Sequence, residues 1–205
     1  MKLVIYSLVL ALALLSTSTL AADGPIDRGS LVNSSELFVR HDAGDVNKQA
    51  TTIQIVPAIS YFFAPGLALG TELYYQNISI DEENLSSWGI GATAGYYLNS
   101  SPSRSEVKGA IYPYIVVFGG LGQTTRKNRT VYTYSGGISY SSLAKQDYDT
   151  QHYGVQVGAV HMMSQAIGLD ISIRYQKIRE KVDGTENWVT GSQLMAGAGI
   201  KAFIW

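Results

Sequence analysis

No cysteine occurs among the 205 residues, which excludes a disulfide framework and any thiolate metal site. Neither sign of charge dominates: 15 Lys and Arg stand against 16 Asp and Glu, so no global field draws the chain toward nucleic acid. Histidine is scarce, at three residues, and no nucleotide loop, metal-ligand spacing or nucleic-acid motif appears. Beyond the N-terminus, no segment approaches the roughly 20 apolar residues that a membrane-crossing helix requires. Glycine and tyrosine, by contrast, are plentiful, at 21 and 14 residues. The length suits one domain, and nothing in it implies a cofactor.

Residues 1–21 read as a cleaved signal peptide. Lys2 supplies the positive start, Leu3 to Leu15 an apolar run, and Thr19 and Ala21 the small residues before cleavage. Residues 22–29 form a short N-terminal lead, and 30–205 the folded domain. If that domain lies in a membrane, strands must hold it there.

The mature chain alternates with a period of two, which predicts eight strands. They are expected at 31–40, 50–63, 67–78, 87–98, 110–122, 151–163, 169–178 and 189–205. In the second, Ile53, Ile55, Ile59, Tyr61 and Phe63 oppose Thr52, Gln54, Ala58 and Ser60. In the seventh, Leu169, Ile171, Ile173 and Tyr175 oppose Asp170, Ser172, Arg174 and Gln176. The fifth is apolar on both faces. Connections after strands two, four and six are compact, and the first is the tight Ala64-Pro65-Gly66 turn. The others are longer and polar. Short turns at one rim and long loops at the other predict an all-β, eight-stranded antiparallel barrel of the outer-membrane type. Closure would leave no sheet edge in lipid.

Aromatic placement favours lipid outside. Tyr61, Phe62, Phe63, Tyr96, Tyr97, Tyr112, Tyr114, Phe203 and Trp205 collect at the short-turn rim. Tyr74, Tyr75, Trp88, Tyr153, Tyr175 and Trp188 collect at the other. Two aromatic girdles around an aliphatic band suit the two membrane interfaces.

The run Pro57-Ala58-Ile59-Ser60-Tyr61-Phe62-Phe63-Ala64-Pro65-Gly66-Leu67-Ala68-Leu69-Gly70 resembles the second-to-third strand hairpin of small Gram-negative outer-membrane β-barrels, the opacity-type and OmpX-like proteins. Residues 113–122 resemble their fifth strand, and Phe203-Ile204-Trp205 their terminal signal for the barrel-assembly machinery. The resemblance implies a monomer in the bacterial outer membrane, in contact with its lipid and lipopolysaccharide. Three features depart from the pattern: Trp205 replaces the usual phenylalanine, Lys201 stands where an apolar residue is favoured, and Pro57 lies within a strand, where a bulge is expected.

Three candidate sites follow. Glu72, Asp170, Arg174 and Lys201 lie on the polar face and are expected to form a charge network in the lumen, either a plug of ion pairs or a polar pathway. Lys201 is placed inward because Gly197 and Gly199 match the glycine-bearing faces of strands four and six. Between Gln123 and Thr150, strand-forming runs containing Tyr132, Tyr134 and Tyr140 flank Gly136-Gly137, predicting an exposed hairpin that offers a sheet edge to a host or matrix surface. Arg126, Lys127 and Arg129 at its base are placed to meet lipopolysaccharide phosphates.

Catalysis finds little support. His161 and Ser164 are near in sequence but lie at the short-turn rim, His152 lacks a serine at a telling spacing, and His41 beside Asp42 reads as a loop residue. The expected function is therefore a non-enzymatic surface barrel with a structural role and adhesive loops. Passive passage of small or apolar solutes is the alternative, and acyl-chain chemistry on outer-membrane lipid a weaker one. Flux measurements separate the first two and lipid analysis the third.

Overall fold

The computed structural model describes residues 24–43, 49–80, 83–98, 106–133, 139–182 and 188–205. Eight antiparallel strands close into a barrel in sequence order: β1 (Leu31–Ala43), β2 (Gln49–Ala64), β3 (Leu67–Ile80), β4 (Glu83–Tyr97), β5 (Ile111–Thr133), β6 (Ser139–Met162), β7 (Ile167–Val182) and β8 (Trp188–Ile204). Much of what reads as polar loop in the sequence is strand, because β-pairing continues past the apolar band. Only residues 81 and 82 separate β3 from β4. β5 and β6, at 23 and 24 residues, are far longer than the roughly 9–11 residues a tilted strand needs to cross a bilayer.

Alternation decides what faces lipid. Leu37, Ile53, Ile55, Leu69, Leu73, Val117, Ile171, Ile173 and Leu194 are exposed on the outer wall, which buries them only when lipid surrounds it. The aromatic girdles need correction. Phe62, Tyr97, Tyr112, Tyr114 and Phe203 are buried inside the lower rim, and Tyr74 is buried near the upper one. Runs such as Tyr61-Phe62-Phe63 must send neighbours to opposite faces, so height does not determine facing. Phe63 and Tyr96 remain outside below, with Tyr75, Trp88, Tyr153 and Tyr175 above.

The inward aromatics seal the lower mouth. Phe62 and Tyr97 meet edge-on with ring centres 5.2 Å apart, and Tyr97 stacks on Tyr114 at the same distance. Ile26 from the N-terminal lead and Val107 from the β4–β5 connection complete the cluster, both buried. Residues 24–29 of the lead are therefore folded under the barrel. Gly66 N–H donates to Ile26 C=O at 2.8 Å, and Gly29 N–H to Phe62 C=O at 2.9 Å.

Pro57 causes no bulge. Ile55↔Tyr75 and Ala58↔Glu72 stay in phase on either side of it, and the ladder to β3 skips Val56 and Pro57. The proline lacks a ladder donor but fits extended backbone, so pairs are lost without a register shift. The irregularity falls instead between Phe62 and Ala64, beside the turn where Gly66 takes φ 73°.

Closure between β1 and β8 runs only from Leu31–Val39 against Ala196–Ile204. Phe38 lies opposite Gly197 there, and a Cβ on Gly197 would come within 2.4 Å of the Phe38 ring. Gly197→Val is expected to cost about 1–3 kcal/mol of stability through overpacking. Gly191→Val, where a Cβ meets nothing within 4 Å, should leave the urea midpoint of the refolded barrel unchanged.

Candidate functional site: a filled lumen and a raised ribbon

Above the lower seal, charged and polar side chains from six strands form one network. The centre is Arg174 on β7, 1% exposed, which donates to both oxygens of Glu72 on β3: Nη2 to Oε1 at 2.5 Å and Nη1 to Oε2 at 3.1 Å. Such a two-point pairing fixes a planar guanidinium against a carboxylate. Arg174 also donates to Gln156 Oε1 at 3.2 Å, and its Cζ lies 3.5 Å from the centre of the Phe118 ring. His152 on β6 places Nε2 at 3.4 Å from Glu72 Oε1.

Gln156 links this half to the other. Its Nε2 donates to Glu36 Oε2 on β1 at 2.6 Å and to the Tyr114 hydroxyl at 2.8 Å. Lys201 on β8 pairs with Glu36 across the β1–β8 closure and lies 3.7 Å from Asp170 Oδ2. The Tyr114 hydroxyl donates to that same Asp170 oxygen at 2.9 Å. Glu72, Asp170, Arg174 and Lys201 thus all point inward, and the structure joins them through Glu36, Tyr114, His152 and Gln156. A cavity of ≈ 30 Å³ between the Glu36 and Glu72 sides has room for about one or two waters. Higher up, Gln176 and Gln76 both donate to Gln193 Oε1 at 3.1 Å. Above them Ser87, Thr124 and Thr150 hydroxyls lie in a 2.8 Å chain, with Thr124 donating to Glu180 at 3.2 Å.

Alternation divides the basic triplet. Arg126 follows Tyr114, Phe118 and Thr124 on the inner face of β5, its Cζ 5.6 Å from the Tyr148 ring centre, whereas Lys127 is exposed on the outer face. Arg126 is thereby turned away from surrounding lipid, because even-numbered residues of β5 face inward. The side chain of Arg129 lies outside the described residues, as does that of His41. His161 is exposed on the outer wall. The Ser164 hydroxyl accepts from the Ala166 and Ile167 N–H groups at 3.2 and 3.0 Å, which holds the β6–β7 turn.

The β5–β6 hairpin pairs continuously up to Tyr132↔Tyr140 and Thr133↔Ser139. Tyr134, Gly136 and Gly137 lie outside the described residues. On its flanks, β4 pairing stops at Asn84↔Lys127 and β7 pairing at Tyr148↔Val182. The ribbon beyond therefore has no neighbouring strand on either side among the described residues. At the C-terminus, Trp205 Nε1 donates to Gln165 C=O at 3.1 Å and Phe203 is packed in the lower seal.

No protein-family model matches the chain, and no curated protein matches it. Solved structures do. The outer membrane protein OprG from Pseudomonas aeruginosa is similar at TM-score 0.52 and 12% identity, over 89% of this chain and 99% of that one. Neisserial surface protein A follows at TM-score 0.49 and 16% identity, over 84% and 94%. Ail, the attachment invasion locus protein of Yersinia pestis, gives TM-score 0.34 and 13% identity, over 84% and 95%. With its closed antiparallel sheet and apolar outer wall, the chain has the fold of the small eight-stranded outer-membrane β-barrels.

Proposed function

We propose that this barrel anchors a β-ribbon above the outer membrane for contact with a host or matrix surface, while its filled interior serves envelope integrity. The observation that carries the reading is the ribbon's two edges, residues 128–133 of β5 and 139–147 of β6, which no other described strand flanks. Open strand edges can pair with an extended segment of another chain through main-chain hydrogen bonds. Export through the signal peptide at 1–21, and delivery to the barrel-assembly machinery by Phe203 and Trp205, belong to the same proposal. Passive transport is less well supported, because the lumen is packed with ion-paired side chains above an aromatic seal.

Deleting Val131 to Ser141 tests the ribbon directly. The shortened chain should still refold, since every described contact of the lumen network and the seal lies outside those residues. Binding of the refolded barrel to cultured cells or immobilised matrix should fall by about tenfold or more, the loss expected when roughly 1.4 kcal/mol or more of contact energy is removed. Undiminished binding would defeat the adhesive reading.

A further inference from the structure

Alternation sorts the charges of β7. Asp170, Arg174 and Glu180 turn inward, while the outer face reads Leu169, Ile171, Ile173, Tyr175, Lys177, Arg179 and Lys181. An aliphatic stretch, an interfacial tyrosine and three successive cations thus climb one outward column. Register with both neighbours is unbroken along the strand, so this facing is continuous. Trp188 of β8 lies opposite Lys181, with Arg179 Cζ 5.1 Å and Lys181 Nζ 6.0 Å from its ring centre.

Height selects the ligand. Alternate residues are about 6.6 Å apart along a strand. At the usual tilt of outer-membrane strands, the three cations sit roughly 5, 10 and 15 Å above Tyr175. A headgroup layer extends about 5–8 Å beyond the hydrocarbon on each side, so Lys177 and Arg179 are at or just above headgroup level. Their cross-strand neighbours carry no charge: Tyr153 and Ser192 flank Lys177, and Gln151 and Thr190 flank Arg179. Lys181 faces Asp149, which offsets part of its field.

We infer that the outer face of β7 binds lipopolysaccharide phosphates, with Lys177 and Arg179 as the phosphate ligands and Trp188 bracing the guanidinium. Arginine matches phosphate oxygens with two parallel N–H donors, and lysine adds a point charge. The assignment rests on the outer-membrane reading above and adds a site on β7 to the contact expected at the base of the β5–β6 hairpin, from which inward-facing Arg126 drops out.

The test uses the refolded mature chain in phosphatidylcholine vesicles, with insertion checked by protection from external protease. Purified lipopolysaccharide is titrated against Trp fluorescence, in parallel with a dephosphorylated preparation and with inorganic phosphate. K177Q/R179Q should weaken lipopolysaccharide binding about tenfold or more, as expected from loss of charge-assisted hydrogen bonds. The dephosphorylated lipid should bind the parent protein as weakly as the intact lipid binds the variant, and K108Q, exposed on the β4–β5 connection at the opposite rim, should match the parent. Equal affinity of parent and K177Q/R179Q for intact lipopolysaccharide, in protein that has inserted, overturns the β7 site alone. Saturation by inorganic phosphate at the concentrations where the lipid binds overturns the lipid assignment. Failure to insert defeats the membrane reading, and the site with it.

Discussion

Replacing Glu72 by leucine should lower the unfolding free energy of the barrel by about 3–5 kcal/mol, the cost typical of removing one partner from a buried ion pair. Arg174 is 1% exposed and would keep its Gln156 contact and its place against the Phe118 ring. It would lose both carboxylate bonds, and no other described carboxylate lies within ion-pair distance of it. Its charge cannot reach water without unpacking β7 from the lumen. The double replacement Glu72→Leu with Arg174→Met removes both charges and should recover much of the loss, since apolar pairs often substitute for buried ions at little cost. Urea titration of the parent, both single variants and the double variant in one detergent yields the coupling energy of the pair. If Glu72→Leu unfolds at the parent's midpoint, the lumen network does not hold the barrel together.

A second large effect is expected at the lower mouth. Ile26→Ala removes a 1% exposed side chain from the seal and should cost about 2–4 kcal/mol locally, as for other large-to-small changes in cores. The loss should fall on the lead rather than on the strands, because only the lead is held through Ile26. The amides of Gly29 and Gly66, bonded to Phe62 and Ile26 carbonyls, report this directly. Their hydrogen exchange should accelerate by about 30-fold to several hundred-fold, following the local opening free energy. Amides near Arg174 should keep their parental rates. Uniform acceleration throughout the sheet would mean that the lead is part of the barrel's global cooperativity.

How much of this was legible in the sequence depends on how cleanly each strand alternates. From Leu169 to Gln176 of β7 the apolar and polar residues take strict turns, and on β3 Leu67, Leu69, Leu73 and Tyr75 mark one face despite Thr71, so Glu72, Asp170 and Arg174 can be placed on the opposite, inner face from the sequence. Lys201 follows from the glycine-bearing face of β8. Glu36 was not legible, because Asn33-Ser34-Ser35-Glu36 is polar on both faces and no periodicity selects one. His152 and Gln156 shared the inner face of β6 with glycines, yet nothing local indicated that they would meet carboxylates from β3 and β1. The seal was hidden for another reason: Ile26 and Val107 lie outside the strands, where alternation carries no information. Aromatic clustering reported height correctly and facing only in part. The continued pairing of β5 with β6 up to Thr133↔Ser139 follows the strand-forming runs of the sequence, whereas the separation of Arg126 from Lys127 required the parity of β5 carried upward from the membrane.

The short ladder between β1 and β8 bears on the order in which the cylinder forms. Every other strand pair joins neighbours in sequence and can zip up hairpin by hairpin, while this one brings together residues as distant as Glu36 and Lys201, 165 positions apart. Contacts of such separation carry the greatest loop-closure cost and tend to form late. Until they form, the first and last strands each present a raw edge, which hydrocarbon tolerates poorly. The step that completes the wall is therefore also the one with the fewest ladder pairs among the described residues to drive it, and the lysine–glutamate pair spans that join.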